Sequence, residues 1–124
     1  MKIFCNGLDL AQAVLKVSKA LSQRTPNPIL ENIKITAQND SLKLTATDLD
    51  LTIEDTIVAE VEMDGETLVN GRFFSEYTRK MTDGQIELNV TDGNLLKIRY
   101  QDSASDIRTQ DVDEFPPLNE IKSD

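Results

Sequence analysis

The sequence contains no histidine and no tryptophan, and only one of its 124 residues, Cys5, is a cysteine. A single cysteine excludes an internal disulfide and predicts a reducing, cytoplasmic compartment. Without histidine, a Cys/His zinc site and a histidine-dependent catalytic triad are both excluded. No apolar run approaches the ~20 residues of a membrane-spanning helix, and the amino terminus lacks the apolar region of a signal peptide. These absences remove most enzyme hypotheses, and our expectation is a chain with no catalytic site, no cofactor, no small-molecule substrate and no membrane association.

Glycine and aromatic residues are also scarce. The five glycines are scattered among turns, which excludes a glycine-rich phosphate-binding loop. Phe73, Phe74 and Tyr77 are expected on the buried side of a helix, which argues against base stacking on single-stranded nucleic acid. Cys5 lies in a short apolar strand, and we interpret it as a buried structural thiol rather than a nucleophile.

Two amphipathic helices are predicted at residues 8–24 and 71–80, where apolar residues recur every three or four positions. Around them, alternating apolar residues and turn pairs such as Asn39-Asp40 predict short strands, including one over residues 48–54. The order is one strand, one helix and three strands, followed by the same series again.

A weak internal repeat accompanies this order, because residues 4–7 resemble residues 68–71 at an offset of 64 positions. The pattern predicts an α+β domain with two helices packed on antiparallel sheets and an internal pseudo-twofold β-α-β-β-β repeat. In such a domain the two helices lie side by side on one face.

Positive charge is concentrated in the two predicted helices. Together they contain six basic and two acidic residues, a net charge of +4, whereas the rest of the chain contains seven basic and 20 acidic residues, a net charge of −13. This segregation suits a protein that meets a polyanion on one face and repels it elsewhere. The basic residues of the helices are Lys16, Lys19, Arg24, Arg72, Arg79 and Lys80.

Any nucleic acid is expected to be contacted through its phosphates and independently of sequence, because no base-reading motif is present. Arg72 and Arg79 are seven residues apart and project from one side of their helix. Glu76 lies between them and is able to pair with either. Basic residues opposite an apolar stripe are equally typical of an ordinary solvated helix face, so that alternative stays open.

The acidic residues permit other interpretations. Asp48, Asp50 and Glu54 alternate along a predicted strand and would suit a metal-dependent hydrolase, although the glycine and terminal glutamate of a calcium loop are missing. The same carboxylates would also suit a non-enzymatic protein-interaction module that binds a partner through an acidic sheet edge. A further acidic group is interpreted as a linker rather than a catalytic pair: Asp111, Asp113 and Glu114.

Four short motifs stand out along the chain. They are Arg24-Thr25-x-x-Pro28-Ile29-Leu30, the run Leu44-Thr45-Ala46-Thr47-Asp48-Leu49-Asp50-Leu51, Val69-x-x-Arg72 together with Arg79, and Glu114-Phe115-Pro116. In order and spacing they resemble the bacterial DNA polymerase III beta subunit family, the replicative sliding clamps. The resemblance spans nearly the whole chain but covers only the first of that family's three domains, so a fragment of a longer protein is expected.

The resemblance implies a DNA-clamp fold, with residues 1–118 forming an N-terminal domain and residues 119–124 beginning an interdomain linker. It implies a DNA polymerase processivity factor rather than an enzyme. Two three-domain subunits would close head to tail around duplex DNA with their helices inward, and a polymerase and a clamp loader would be further partners. The family's DNA contacts map onto Arg24 and Arg72, then Arg79, with Lys16, Lys19 and Lys80 as supporting charges.

The chain departs from the family at two places. Val69-Asn70-Gly71-Arg72 stands where Val-Pro-Ala-Arg is common, so the start of the second helix is expected to differ locally. Asp102-Ser103-Ala104-Ser105 stands where some members carry basic residues and an aromatic at the subunit interface, so the resemblance assigns no ring-closing residues here. The groove that captures polymerase and loader peptides belongs to the later domains, and we expect none in this chain.

Overall fold

The computed structural model describes residues 1–21, 27–91 and 94–117. Within these residues two α-helices, α1 (Gly7–Val17) and α2 (Gly71–Thr78), accompany eight strands and three short 3₁₀ turns. The 3₁₀ turns are Ser18–Ala20, Pro28–Glu31 and Val112–Glu114. The strands are β1 Lys2–Asn6, β2 Asn32–Gln38, β3 Ser41–Thr47, β4 Thr52–Met63, β5 Gly65–Asn70, β6 Gln85–Thr91, β7 Leu95–Tyr100 and β8 Ser103–Gln110.

The strands form two antiparallel sheets joined by their two longest members, β4 and β8. Residues 52–58 of β4 pair with β3, whereas residues 59–63 pair with β1 in the other sheet. Residues 103–108 of β8 pair with β7, and its last two residues pair with β5. This α+β architecture confirms the predicted order of two β-α-β-β-β units.

The core lies between the helices and the inner faces of both sheets. Leu10, Val14 and Val17 of α1 are buried, as is Phe74 of α2, and they pack with the inward residues of the strands. The predicted apolar stripe of α1 therefore faces the core, and each fully buried aliphatic side chain contributes roughly 1.5–3 kcal/mol relative to exposure.

The two helices begin in the same way, as the 64-residue repeat predicts. The side chain of Asn6 accepts a hydrogen bond from the Asp9 amide at 2.9 Å, and that of Asn70 accepts one from the Phe73 amide at 3.1 Å. Asparagine is a favoured N-cap because its oxygen satisfies an amide that has no partner inside the helix. At Asn70-Gly71, where the family commonly has Pro-Ala, the chain thus starts α2 with a side-chain cap.

A glycine follows each cap. A Cβ at Gly7 would collide with the backbone carbonyl oxygen of Met81, whereas one at Gly71 would meet the end of the Leu21 side chain, which would have to shift. Met81 follows α2 and Leu21 follows α1, so each helix begins beside the segment that ends the other. The helices are therefore neighbours that run in opposite directions.

The first helix is shorter than predicted. It ends at Val17, continues as the 3₁₀ turn Ser18–Ala20, and reaches extended geometry at Leu21. The hydroxyl of Ser18 donates to the Val14 carbonyl at 2.6 Å, which is the kind of side-chain bond that competes with continued helix. Residues 22–24 of the predicted helix lie outside the described residues, and α2 likewise ends at Thr78 rather than residue 80.

The strand predicted over residues 48–54 is wrong in its first half. Asp48 accepts hydrogen bonds from the amides of Asp50 and Leu51 at 2.9 and 2.7 Å, and Leu49 has a positive φ of 80°. The carboxylate therefore closes a tight turn, and β4 begins only at Thr52. Alternation of aspartate and leucine satisfies a strand pattern and an Asx turn equally well.

Phe73 was expected on the buried side of the second helix, and this is also wrong. Its side chain is 56% exposed, whereas Phe74 is fully buried and Tyr77 is partly buried against the core. In a short helix only one of two consecutive residues faces the sheet, and here that residue is Phe74.

Among the helices in the described ranges, none is long and apolar enough to cross a membrane.

Candidate nucleic-acid interface

The outward sides of α1 and α2 lie next to each other. Together with the residues directly after each helix they form one surface, which we call the helix face. Five of the six predicted site residues lie in the described ranges, and all five are exposed on this part of the chain. Because the helices are antiparallel, Lys19 lies at the same end of the pair as Arg72. The five are Lys16 of α1, Lys19 of the following 3₁₀ turn, Arg72 of α2, and Arg79 and Lys80 directly after it. Arg24 lies outside the described residues.

Most of these cations have no acidic partner. In the part of the chain that the structure describes, Lys19, Arg72, Arg79 and Lys80 form no ion pair. Glu76, which the sequence placed between the arginines as a possible partner, also forms none there. A cation without a neighbouring carboxylate keeps its full charge available to a phosphate.

Three strand lysines behave differently. Lys2, Lys34 and Lys43 lie within 3.6, 3.2 and 3.7 Å of Glu62, Glu66 and Glu54, respectively. Pairing cancels their charge locally while many other strand and loop acids stay exposed. Lys97, Arg99 and Arg108 on β7 and β8 form no ion pair in the described residues either, so the helix face differs from the sheets in having few acids beside its cations, and the acidic sheets repel a polyanion.

The helix face also carries exposed leucines that the sequence analysis did not anticipate. Leu8 and Leu15 are 46% and 65% exposed on α1. The 64-residue offset places them at the positions equivalent to Arg72 and to Arg79, which follows α2. The internal repeat therefore predicts that these two leucines are exposed. The cationic charge of the face is consequently weighted toward α2 and the segment after it.

A depression of about 320 Å³ adjoins the start of α2. Ser18 and Leu21 line one side, and Arg72 and Glu76 line the other. It opens beside the cations of the helix face, so Arg72 projects at its rim rather than into the core.

Residues 1–119 match the N-terminal domain of the DNA polymerase III beta subunit. The chain belongs to this family. It is 35% identical over 121 residues to the beta sliding clamp of Halalkalibacterium halodurans, an alignment that covers 91% of this chain and 32% of that protein. The beta sliding clamp of Bacillus subtilis is equally similar, with 35% identity over the same shares of both chains.

Solved sliding-clamp structures share the fold. The crystal structure of the Bacillus subtilis clamp superposes with a TM-score of 0.91 at 33% identity, covering 95% of this chain and 33% of that one. The Caulobacter crescentus clamp gives a TM-score of 0.89 at 28% identity, covering 94% and 32%. The chain spans 32% of the length of the first relative, so it corresponds to one part of a longer clamp.

Within this clamp domain, two strand segments pair on one side alone. In the described residues, positions 52–58 of β4 pair only with β3, and positions 103–108 of β8 pair only with β7. The repeat makes these two edges equivalent, and Val58 on the first is 80% exposed. An unpaired edge is a template for a strand from another domain or subunit.

Two carboxylates and the thiol that the sequence raised as alternative sites have structural roles. Asp48 closes the turn before β4, and Glu54 pairs with Lys43. Burial, with a smaller contribution from Asp9, raises the pKa of the Cys5 thiol from 9.0 to about 12. A protonated, buried thiol is a poor nucleophile, as the sequence analysis expected.

The raised pKa of Cys5 predicts a loss of stability at high pH. The folded state holds the thiol proton more tightly than the unfolded state, so this contribution is complete below pH 9.0 and is lost between pH 9.0 and about 12. Across that window the free energy of unfolding is expected to fall by at most ~1.4 kcal/mol per pH unit from this group. Urea unfolding of the protein and of Cys5→Ala at a series of pH values measures it, since only the parent has the thiol. Parallel profiles of the two proteins would contradict the assignment.

Proposed function

We propose that this chain forms the N-terminal domain of a ring-shaped processivity factor that encircles duplex DNA and tethers a DNA polymerase to it. What supports the proposal most directly is the helix face of a domain whose sheets are acidic. In the described residues its unpaired cations lie on α2 and in the segments directly after α1 and α2: Lys19, Arg72, Arg79 and Lys80. Residues 1–118 would form the domain, and residues 119–124 would begin the linker to the next one.

The proposed contacts are with phosphates. Arg24 and Arg72 would be the principal contacts, Arg79 a further one, and Lys16, Lys19 and Lys80 supporting charges on the inner wall. A closed ring stays on DNA because of its topology, so the contacts need not be strong. Weak contacts that do not distinguish sequences let the ring slide without pausing.

The proposed ring requires neighbours on both sides of the domain. The two unpaired edges, residues 52–58 of β4 and residues 103–108 of β8, are the surfaces we propose for them, since equivalent edges of a repeat suit a head-to-tail arrangement. The partners would be a second clamp subunit, the polymerase and the clamp loader. Duplex DNA of a bacterial cell is in the cytoplasm, where we propose that the protein acts.

We propose that the chain contributes no catalysis of its own and acts as an accessory subunit of a DNA-directed DNA polymerase. The carboxylates that suggested a hydrolase or an acidic protein-interaction module lend those alternatives no support, because Asp48 is engaged in a turn and Glu54 is paired. Neither alternative accounts for the excess of basic over acidic residues in the two helical segments.

The proposal predicts weak, salt-dependent and sequence-independent binding of duplex DNA by this domain. Contact with about three or four phosphates gives a slope of log K against log salt near −3, with a dissociation constant at or weaker than ~10⁻⁴ M. Titration of two duplexes of scrambled sequence at 50 and 200 mM salt measures both quantities. Tight binding, or a preference for one of the duplexes, would refute the proposed mode of contact.

A further inference from the structure

One acidic side chain interrupts an apolar row on the inner face of β4. Ile53 and Ile57, two residues to either side of Asp55, both pack against the hydrophobic core. Alternate residues of a strand share a face, so Asp55 occupies a position where the pattern predicts an aliphatic residue. Its neighbour Glu54 points to the opposite face and pairs with Lys43 of β3.

Asp55 reaches the helix face from this position. Its Oδ1 lies 3.7 Å from Nζ of Lys16 on α1, which packs against β4. The side chain of Lys16 is 60% exposed and that of Asp55 is 29% exposed. Of the five described cations on the helix face, Lys16 is the one with a carboxylate in ion-pair range.

The free energy of this ion pair shows whether the pair serves stability or DNA binding. A partly exposed ion pair contributes roughly 0–1 kcal/mol to stability, so folding gains little from it. By comparison, the pair has a larger effect on a phosphate that approaches Lys16. A phosphate in contact with Lys16 would lie within the ~10 Å Debye length of Asp55 at 0.1 M salt, and the carboxylate would repel it.

We infer that Asp55 is a built-in competitor that weakens the hold of the helix face on DNA. It draws the Lys16 ammonium toward β4 and offsets part of its charge, so that Lys16 releases fewer counterions when duplex binds. This inference rests on the proposed function, because it assigns Asp55 a part in keeping a sliding contact weak. Asp55 is thus a positioning residue that acts on DNA through Lys16.

The test compares Asp55→Asn with Glu54→Gln in duplex titrations from 50 to 200 mM salt. Both variants lose one negative charge from the same strand, but only the first frees a cation on the helix face. Asp55→Asn is expected to bind duplex about two- to fivefold more tightly at 50 mM salt, with a salt slope steeper by up to ~0.9. Glu54→Gln is expected to leave the slope unchanged. Far-ultraviolet circular dichroism checks that both variants fold.

Lys16→Met provides the second readout, which a merely structural role of Asp55 would not produce. In the parent protein this change is expected to reduce the salt slope by clearly less than ~0.9, because Asp55 already offsets part of the charge of Lys16. In the Asp55→Asn background it is expected to remove the whole gain in slope. A parent slope near −3 with equal effects of Asp55→Asn and Glu54→Gln would overturn the inference alone. A parent slope near zero would overturn the proposed function and the inference with it.

Discussion

Replacing Arg72 and Arg79 together with glutamate is expected to abolish most of the duplex binding of this domain. Both arginines are exposed, and neither has an ion-pair partner in the described structure. Each contributes one phosphate contact in the proposed mode, so losing both reduces the salt slope by about 2, from near −3 to near −1. The introduced carboxylates add repulsion, and we expect affinity at 50 mM salt to fall by more than about tenfold.

The matched control is Lys97→Glu paired with Arg99→Glu. Both residues lie on β7, where their neighbours Leu96 and Ile98 are buried, so their side chains point away from the core and the net charge changes by the same amount. If charge alone governed binding, the two double variants would lose affinity equally. We expect the strand variant to keep a slope near that of the parent, and an equal loss in both would contradict a localised contact.

Phe74→Ala is expected to destabilise the domain by about 3–5 kcal/mol, whereas Phe73→Ala is expected to cost less than about 1 kcal/mol. The two residues are adjacent on α2 and chemically identical. Phe74 is fully buried in the core and Phe73 is 56% exposed. Truncation of Phe74 removes its buried surface and leaves a cavity between α2 and the sheets, while truncation of Phe73 leaves none.

Urea unfolding of the three proteins measures this difference in the free energy of unfolding. Because small domains are stable by only about 5–15 kcal/mol, Phe74→Ala removes a large fraction of the total. An unchanged m-value would indicate that the unfolded states are comparable. Similar losses in the two variants would mean that α2 presents a different side to the core.

Local pattern was enough to predict most of the fold. The turn at Asn39-Asp40 is formed with φ values of 52° and 54°, the left-handed geometry that these residues tolerate. The helices and the repeated β-α-β-β-β order follow from residue spacing in the same way. These signals depend on neighbours within a few residues, which a sequence displays directly.

The errors arise where two structures share one local pattern. Alternating aspartate and leucine fits a strand or an Asx turn, and the hydrogen bonds of Asp48 select the turn. Phe73 and Phe74 are equal in hydropathy, and only the placement of α2 on the sheets chooses between them. A helix end such as Val17 depends on a side-chain hydrogen bond, which weighs little in a periodicity argument.

The sequence predicts the residue types of the candidate site, but it does not predict which of its charged side chains form ion pairs. Sequence identified the basic residues of both helices from their segregation. It gave no sign that Asp55 meets Lys16, because that contact depends on how β4 packs against α1. Tertiary packing likewise leaves Arg72 without the partner that Glu76 offers at helical spacing.

The most direct test of the account is to map the duplex-contacting surface by nuclear magnetic resonance. Backbone amide shifts of the isotope-labelled chain would be followed during titration with a short duplex at low salt. The account predicts that the largest changes fall in α1, the Ser18–Ala20 turn and residues 71–80, with strands β2 and β3 nearly unaffected. Largest changes on the outer faces of the strands, or changes scattered evenly over the surface, would contradict the claim that DNA meets the helix face.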